Sequence, residues 1–303
     1  MNPVSPSVGV VTLNWNQEED TRECLASLRE CTYSDKAVIL VDNGSHDGSP
    51  ARLAAMFPEV QMLPQPTNLG FAEGNNVGIR AALAQGAKYI LLLNNDTLVD
   101  KGFLEPLVAA LDRHPDVGIV GSKIYCYPER STLWAAGARI DWISGRQSHI
   151  GTGEEDRGQY DLEADVDYVS ACCLLARREV FEQVGLLDAR YFIYFEETAW
   201  NVRARAHGFG IRYIPESRIW HKVSAAMNAS SPNSAYYLAR NRLLFLTENG
   251  PAHRRAFFRY FYTTRSLWYG FRLVTSGKFL HGQAVLQGVW DFYRNRLGRR
   301  EAG

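Results

Sequence analysis

The first third of the chain alternates short apolar runs with segments of helical periodicity. Apolar runs occupy residues 8–14, 36–42 and 89–93, and amphipathic segments at 18–31 and 49–57 separate them. Strands that are apolar on both faces are typical of a parallel sheet covered by helices on both sides. The pattern therefore predicts an α/β fold with a mostly parallel, Rossmann-like central sheet flanked by helices.

Composition and cysteine usage narrow the class of protein. Hydrophobic residues make up 46% of the 303 residues and charged residues 22%, which excludes an intrinsically disordered chain. The five cysteines contain no C-x-x-C pair, and an odd number makes a poor disulfide framework. No signal peptide is expected in residues 1–7, and no run approaches the roughly 20 apolar residues of a membrane-spanning helix. We therefore expect a cytoplasmic protein.

The last fifty residues differ from the rest in charge. Residues 251–303 contain ten Lys and Arg against two Asp and Glu, although the whole chain has zero formal net charge. Their arginines are interleaved with aromatic residues in RRAFFRYFYTTRSLWYGFRL. This pattern fits base stacking, a membrane interface, or helices packed on the core with a basic outer face. We favour a membrane surface over nucleic acid, and treat residues 251–303 as a helical extension of a domain formed by residues 1–250.

Polar residues follow the apolar runs where each predicted strand ends. Asn14, Asp42 and the tripeptide Asn94-Asn95-Asp96 occupy these positions. The carboxyl ends of parallel strands meet at one edge of a sheet, where ligands bind in such folds. Asp96 there either binds a divalent cation such as Mg²⁺ or Mn²⁺, which prefer oxygen ligands, or caps a turn or the next helix.

Three other titratable side chains are candidates for chemistry. His221 is either a structural residue or, if the fold brings it to Asp96, a second metal ligand. Glu196 and Glu197 either favour the start of a helix or supply a general base for an acceptor hydroxyl. Because two adjacent carboxylates raise the pKa of one of them, such a pair suits a base that works near neutral pH.

Several local expectations accompany these assignments. TNLGFAEGNNVG (67–78) is read as a Gly/Asn loop that opens a helix, and it matches neither a Walker loop nor a dinucleotide fingerprint. Residues 144–162 are expected to form an exposed loop, and FIYF (192–195) the end of a strand. The helix over 49–57 is expected to be capped by Ser49.

Six segments carry a resemblance to a known family, and they are VVTLNWN, ILVDNGSHDGS, NLGFAEGNNVGIRAAL, ILLLNNDTLV, FIYFEETAWNVRARAHG and IWH. In this order they resemble the inverting family-two glycosyltransferases with the GT-A fold. The subgroup that the chain looks most like is the bacterial rhamnosyltransferases of O-antigen and cell-wall polysaccharide synthesis. The resemblance covers residues 8–250.

The resemblance implies roles for individual residues. Asn94-Asn95-Asp96 stands in the place of the D-x-D motif, so Asp96 would bind Mg²⁺ or Mn²⁺ together with His221. Glu197 would be the catalytic base, with Glu196 beside it. The remaining implied contacts are to the nucleotide-sugar donor, from Thr12, Asn14, Asp42, Asn68, Gly70, Asn75, Asn94 and Asn95.

Ala199 departs from the family pattern. EDxDxxxR puts a second carboxylate where this chain has Ala199 in EETAWNVR, with Arg203 still in register. Alanine cannot bind a metal or orient an acceptor. Either the natural protein lacks this carboxylate, or the chain carries a deliberate change to Ala that impairs catalysis; we favour the second interpretation.

The implied reaction is transfer of a sugar, most simply L-rhamnose from dTDP-rhamnose, to a hydroxyl of a glycan or lipid-linked glycan. The enzyme would work in the cytoplasm, on the inner face of the inner membrane. A sugar nucleotidyltransferase would need a Gly-rich loop with a Lys after the first strand, and NWNQEED supplies neither. A transferase for another nucleotide-sugar, or a non-catalytic carbohydrate-binding subunit, is the alternative.

Overall fold

A computed structural model of the chain describes residues 7–222 and 231–300, and its centre is one large β-sheet. The strands are β1 (Val8–Asn14), β2 (Lys36–Asp42), β3 (Gln61–Pro64), β4 (Tyr89–Leu93), β5 (Thr97–Val99), β6 (Val117–Cys126), β7 (Leu133–Ala135), β8 (Ala138–Asp141), β9 (Arg146–His149), β10 (Ala164–Asp165), β11 (Cys173–Arg177) and β12 (Gly210–His221). Ten of them join the central sheet, and β8 and β9 form a separate hairpin.

The helices are α1 (Glu18–Arg29), α2 (Ser49–Met56), α3 (Gly70–Ala84), α4 (Leu104–Arg113), α5 (Arg178–Val184), α6 (Glu196–Ala206), α7 (Pro232–Asn249), α8 (Arg255–Thr275) and α9 (Phe279–Tyr293). The order of elements confirms the predicted α/β class. Residues 1–6, which hold most of the segment in which no signal peptide is expected, lie outside the described residues.

The sheet is parallel where the sequence alternates most regularly. Strands β3, β2, β1 and β4 are neighbours and all run parallel. Beyond them β11 runs antiparallel between β4 and β6, and β6 pairs in parallel with β12. The sheet is therefore mixed, with β11 as an antiparallel strand between β4 and β6.

Both faces of the sheet are buried, as the apolar strands predict. Alternate residues of β4 lie in opposite core layers: Leu91 packs with Leu25 of α1, and Leu92 packs in the layer that contains Ile79 of α3. The strands therefore need no polar face, and polar side chains collect at their carboxyl ends.

The irregular strand β12 brings His221 to the carboxyl edge of the parallel strands. The pairing of β12 with β6 shifts register between Ile214 and Arg218. After this irregularity β12 also pairs with β5, so that His221 lies opposite Thr97. The residue after Asp96 and the residue predicted as its partner thus share one β ladder.

The predicted Gly/Asn loop at 67–78 is wrong in extent, because α3 begins at Gly70. Gly74 and Gly78 lie inside the helix, where a Cβ would come within 2.7 Å of the Leu13 side chain and 2.3 Å of the Val11 side chain of β1. These glycines therefore allow close packing of helix on sheet, and they do not open a loop.

Three smaller expectations also need correction. FIYF forms an irregular turn and not a strand end, since Phe192, Tyr194 and Phe195 have φ of 65°, 69° and 74°. The predicted exposed loop at 144–162 contains β9. Ser49 is the first residue of α2 and not its cap, and its hydroxyl donates to the Asp47 carboxylate at 2.6 Å.

The C-terminal helices pack on α7. A Cβ at Gly288 of α9 would lie 2.5 Å from the Tyr236 carbonyl oxygen of α7, so the two helices are in close contact. Buried Arg240 of α7 donates to the carbonyls of Tyr191 and Gly298, which fixes the end of the chain against the core. The boundary at residue 250 stays a prediction.

Candidate active site

A cleft of about 300 Å³ opens at the carboxyl edge of the parallel strands. Its floor comes from the ends of β1 and β4, and its walls from the start of α3, the turn before α6, and α7. Six of the residues predicted from the sequence line it: Asn68, Gly70, Asn75, Asn94, Asn95 and Asp96. The edge of the sheet predicted to bind ligand is therefore a real cavity.

Asp96 and His221 lie together beside the cleft. Both side chains are buried, and Asp96 Oδ1 lies 3.2 Å from His221 Nε2. The backbone N–H of Lys222 donates to the Asp96 carbonyl at 2.9 Å, which holds the end of β12 against the strand end that carries Asp96. Within residues 7–222 and 231–300, no group of three or more His, Cys, Asp or Glu residues could hold a metal. Among the described residues, this position therefore brings together one carboxylate and one imidazole.

A buried polar network supports the floor of the cleft. The Asn14 amide nitrogen donates to Asp42 Oδ1 at 3.0 Å and to Ser49 Oγ at 2.9 Å. The Asn14 amide oxygen accepts from the Thr21 hydroxyl at 2.9 Å, and Thr21 in turn accepts from the Asn95 amide at 2.8 Å. The ends of β1, β2 and β4 are therefore joined by direct hydrogen bonds through the first turns of α1 and α2.

Three predicted donor-binding residues lie beneath the cleft. Thr12, Asn14 and Asp42 are buried and are absent from its described lining. Asp42 also accepts from both the backbone N–H and the hydroxyl of Ser45. Donor contacts by these three residues stay predictions. Asn14 and Asp42 fix the strand ends, whereas the buried Thr12 hydroxyl has no hydrogen-bond partner among the described residues.

Asn43 lines the cleft and was missed among the candidate residues. Its amide oxygen accepts from the backbone N–H of Leu69 at 2.9 Å, and its amide nitrogen donates to the Gly70 carbonyl at 3.1 Å and to Asn68 Oδ1 at 3.2 Å. Asn43 thus ties the end of β2 to the start of α3. Its position directly after Asp42 is the signal that could have found it.

Gly70 fits a narrow space between α3 and the turn before α6. Its φ is 82°, and a Cβ there would lie 2.6 Å from the Phe192 carbonyl oxygen. That carbonyl accepts from the backbone N–H groups of Phe71 and Ala72, and Asn68 Oδ1 accepts from that of Gly70. The first backbone N–H groups of α3 therefore have acceptors within the protein. These hydrogen bonds hold the start of α3 in place as a wall of the cleft.

Glu196 and Glu197 form the first turn of α6. Phe195, with its left-handed backbone, turns the chain so that both carboxyls point into the protein. Burial, and then the neighbouring Glu197 charge, raises the pKa of Glu196 well above its usual value, and burial raises the pKa of Glu197. Each has one buried oxygen without a hydrogen-bond partner among the described residues. Glu196 is 3% exposed and Glu197 is half-buried, so burial acts more strongly on Glu196.

Aromatic rings connect the region of Glu197 with His221. The ring centroid of Trp134 lies 4.7 Å from that of His221 and 4.3 Å from that of His149, and His149 lies 6.1 Å from Tyr168. Tyr168 is close enough to Glu197 that this carboxylate helps to raise its pKa. Burial lowers the pKa of His149 to about 4, so its imidazole is neutral at physiological pH. The candidate base and the Asp96–His221 pair therefore border one aromatic wall.

Ala199 lies one turn after Phe195 and is 1% exposed. It packs in an apolar cluster with Phe195, Tyr168 and Phe245. The interpretation of Ala199 as an introduced change stays a prediction.

Residues 7–185 match the glycosyl transferase family 2. The match covers more than half of the chain and includes the strand ends that form the cleft. The chain belongs to glycosyl transferase family 2. The family predicted from six short segments is thereby confirmed, and this protein is a glycosyltransferase.

Curated relatives of this glycosyltransferase include two bacterial rhamnosyltransferases. The N-acetylglucosaminyl-diphospho-decaprenol L-rhamnosyltransferase of Mycobacterium tuberculosis is 29% identical over 231 residues, which are 70% of this chain and 75% of that protein. The dTDP-rhamnosyl transferase RfbF of Shigella flexneri is 25% identical over 254 residues, covering 81% and 82%. The chain is thus similar to rhamnosyltransferases over most of their length.

Solved structures of other glycosyltransferases share the fold of this family member. The mannosyltransferase PcManGT of Pyrobaculum calidifontis, solved with GDP-Man and Mn²⁺, superimposes with a TM-score of 0.58 over 97% of this chain and 89% of that one, at 14% identity. GalNAc-T7, solved with UDP, GalNAc and Mn²⁺, gives 0.63 over 86% of this chain and 55% of that one, at 15% identity. The GT-A fold expected from the resemblance is confirmed.

Proposed function

We propose that this glycosyltransferase moves L-rhamnose from dTDP-rhamnose to a hydroxyl of a glycan or lipid-linked glycan, with inversion at the anomeric carbon. The observation that carries the proposal is the buried pair of Asp96 and His221 beside a cleft at the strand ends. The names of the two bacterial relatives support rhamnose as the sugar, and the name of the Shigella protein supports dTDP as the carrier.

Asp96 and His221 fit one divalent cation, Mg²⁺ or Mn²⁺. Two ligands that each lie ~2.1 Å from an octahedral cation, at right angles, are about 3 Å apart. The observed distance of 3.2 Å between Asp96 Oδ1 and His221 Nε2 is close to this value. When bound, the cation would neutralise charge on the departing nucleoside diphosphate. A donor diphosphate is the natural source of the further oxygen ligands.

Glu197 is proposed as the general base. Its carboxylate accepts the proton of the acceptor hydroxyl while the acceptor oxygen bonds to the anomeric carbon. The bond from that carbon to the diphosphate oxygen breaks on the opposite face, and dTDP leaves with the electron pair. The raised pKa of Glu197 favours proton acceptance near neutral pH. Glu196 beside it stays protonated, which avoids two adjacent buried charges.

The test compares donors and two aspartate variants. Thermal shift with dTDP-rhamnose, UDP-sugars and GDP-sugars identifies the donor, because a ligand that binds the native state raises its stability. Transfer is then measured with Mg²⁺ or Mn²⁺ to a short-chain N-acetylglucosaminyl diphospholipid.

Asp96→Asn should lower transfer by about 1000-fold, or ~4 kcal/mol. Asp100→Asn is the matched control, since Asp100 is exposed on the same segment. Full activity of Asp96→Asn would exclude the metal site.

A non-catalytic carbohydrate-binding subunit is the second candidate, and Ala199 favours it. A catalytic protein should release dTDP from dTDP-rhamnose, and Ala199→Asp should increase that release if a carboxylate at this position assists the reaction. A binding subunit would show a thermal shift with the donor and no release in either form.

A further inference from the structure

Exposed apolar side chains are concentrated on the α8–α9 hairpin. Of the fifteen large hydrophobic residues that are exposed in the described part of the chain, eleven lie on these two helices. Six of them are called here the α8 stripe: Phe257, Tyr260, Phe261, Leu267, Trp268 and Phe271. A contiguous exposed patch of this kind marks a binding surface.

The α8 stripe is one face of the helix. Its members are spaced by three, four and seven residues, which places them within an arc of about 120° at 100° per residue. The opposite side of α8 is buried through Phe258, Tyr262 and Gly270. A surface helix of a globular protein normally exposes its polar face. Helix α8 instead exposes an aromatic face.

Positive charges lie beside the α8 stripe and on the side of α8 that meets α9. Arg272 lies 4.9 Å from the Trp268 ring, and Arg259 lies 5.0 Å from the ring of Tyr293 on α9. In residues 251–300 the ten Lys and Arg face a single acid, Asp291, which is buried. Two copies of this face would repel one another, whereas an anionic surface would attract it.

No helix within residues 7–222 and 231–300 is long and apolar enough to cross a bilayer. Aromatic side chains flanked by arginines match an interfacial helix, in which rings lie at headgroup level and arginines meet lipid phosphates. Leu267 and Leu280 fit lipid better than nucleic acid, since an aliphatic side chain cannot stack on a base.

We propose that the α8–α9 hairpin docks in the plane of an anionic phospholipid bilayer through the α8 stripe. The close packing of Gly288 against Tyr236 connects the hairpin rigidly to α7. Tyr237 of the same helix lines the cleft, so docking holds the cleft at a fixed orientation to the lipid surface. The proposal extends the proposed function, because an acceptor carried by a lipid would be presented at that surface.

The test is sedimentation of the full chain with vesicles of phosphatidylglycerol and phosphatidylethanolamine, or of phosphatidylcholine alone. Wild-type protein should bind the anionic vesicles, and less strongly at high salt. Replacing Phe257, Trp268 and Phe271 by Ser should weaken binding about 100-fold, since each ring contributes roughly a factor of five. These rings are 48%, 59% and 64% exposed, so the fold should survive.

The matched control replaces Met56, Ile143 and Leu162 by Ser, because these exposed apolar residues lie outside the hairpin. It should bind vesicles within about twofold of wild type. Equal loss in both variants, or no vesicle binding by wild type, would overturn the proposal. So would light scattering that shows self-association through the stripe, or oligonucleotide binding that only the stripe variant loses. Thermal shift with dTDP-rhamnose is a separate readout, so a failed donor assignment leaves the vesicle result interpretable.

Discussion

The cleft and the C-terminal hairpin are both unusual in which side chains they bury. The cleft buries polar groups, and the hairpin exposes apolar ones. The base of the cleft buries polar groups, and these are hydrogen-bonded within the protein: Asn14 donates to Asp42, and Thr21 bridges Asn14 and Asn95. The hairpin exposes aromatic groups such as Trp268 and Phe271, and no described part of the chain covers them. Buried polar groups that find hydrogen-bond partners inside the protein stabilise a site. Exposed aromatic groups that no part of the protein covers indicate a partner outside it.

The largest expected effect is at the candidate base. Glu197→Gln keeps the size of the side chain and removes its ability to accept a proton, so transfer should fall by about 10³- to 10⁴-fold. Glu179→Gln is the matched control, because Glu179 is an exposed carboxylate in the first turn of α5. Transfer rates and circular dichroism spectra of both variants provide the measurement. A Glu197→Gln enzyme with near-normal turnover would move the base elsewhere.

The second prediction concerns the buried hydrogen bonds beneath the cleft. Asn14→Ala removes bonds to Asp42, Ser49 and Thr21 in a buried site, and the free energy of unfolding should fall by about 2–4 kcal/mol. Donor affinity should fall as well, because the ends of β1 and β2 lose their link. Chemical denaturation measures the first effect. Asn249→Ala, which removes longer and partly exposed bonds, should cost under ~1 kcal/mol. Equal losses would show that the network has no special role.

Much of the fold was predictable because strands β1, β2 and β4 are almost wholly apolar. The runs at β1, β2 and β4 have no polar face to confuse the assignment, and their polar ends marked the cleft. The sequence predicts a contact between Asp96 and His221 only if the fold brings them together. The pairing of β12 with β5 does so. Local periodicity and a resemblance were sufficient for that part of the site.

The misassigned segments are those where tertiary contacts override local preference. Gly74 and Asn75 normally indicate a loop, yet here the glycine permits close packing of α3 on β1 and the helix continues. Phe192 and Phe195 favour a strand, yet they adopt left-handed conformations in the turn before α6. Trp134 and His149 join the site from a region with no motif, so only the folded chain reveals them.

Glu196 provides a prediction with a definite pH dependence. Its raised pKa means that the folded state binds more protons than the unfolded state, so its contribution to stability is lost as the pH rises above the usual glutamate range. Glu196→Gln removes this loss, and the variant should be more stable than wild type by about 1–2 kcal/mol at pH 8. The two proteins should converge near pH 4. Thermal unfolding across this range tests it, and Glu182→Gln, an exposed surface change, should show no such divergence.

The smallest effect is expected at Arg242 of α7, and its neighbour Arg240 provides the contrast. Arg240 is fully buried and donates to the backbone carbonyls of Arg190, Tyr191 and Gly298, whereas Arg242 lies against the rings of Phe195 and Tyr262.

Burial lowers the pKa of Arg242, the nearby Tyr262 opposes this shift, and the like charge of Arg265 adds to it. Arg242→Met should therefore raise the free energy of unfolding by about 0.5–1 kcal/mol, because it removes a half-buried charge whose described contacts are two aromatic rings and the like charge of Arg265. Arg240→Met should lower it by ~3 kcal/mol, because three carbonyls lose a charged donor. If both variants are destabilised alike, Arg242 is compensated within the protein, as the polar groups of the cleft are. If Arg242→Met is stable but binds anionic vesicles less tightly than wild type, this cation belongs with the hairpin and its external partner.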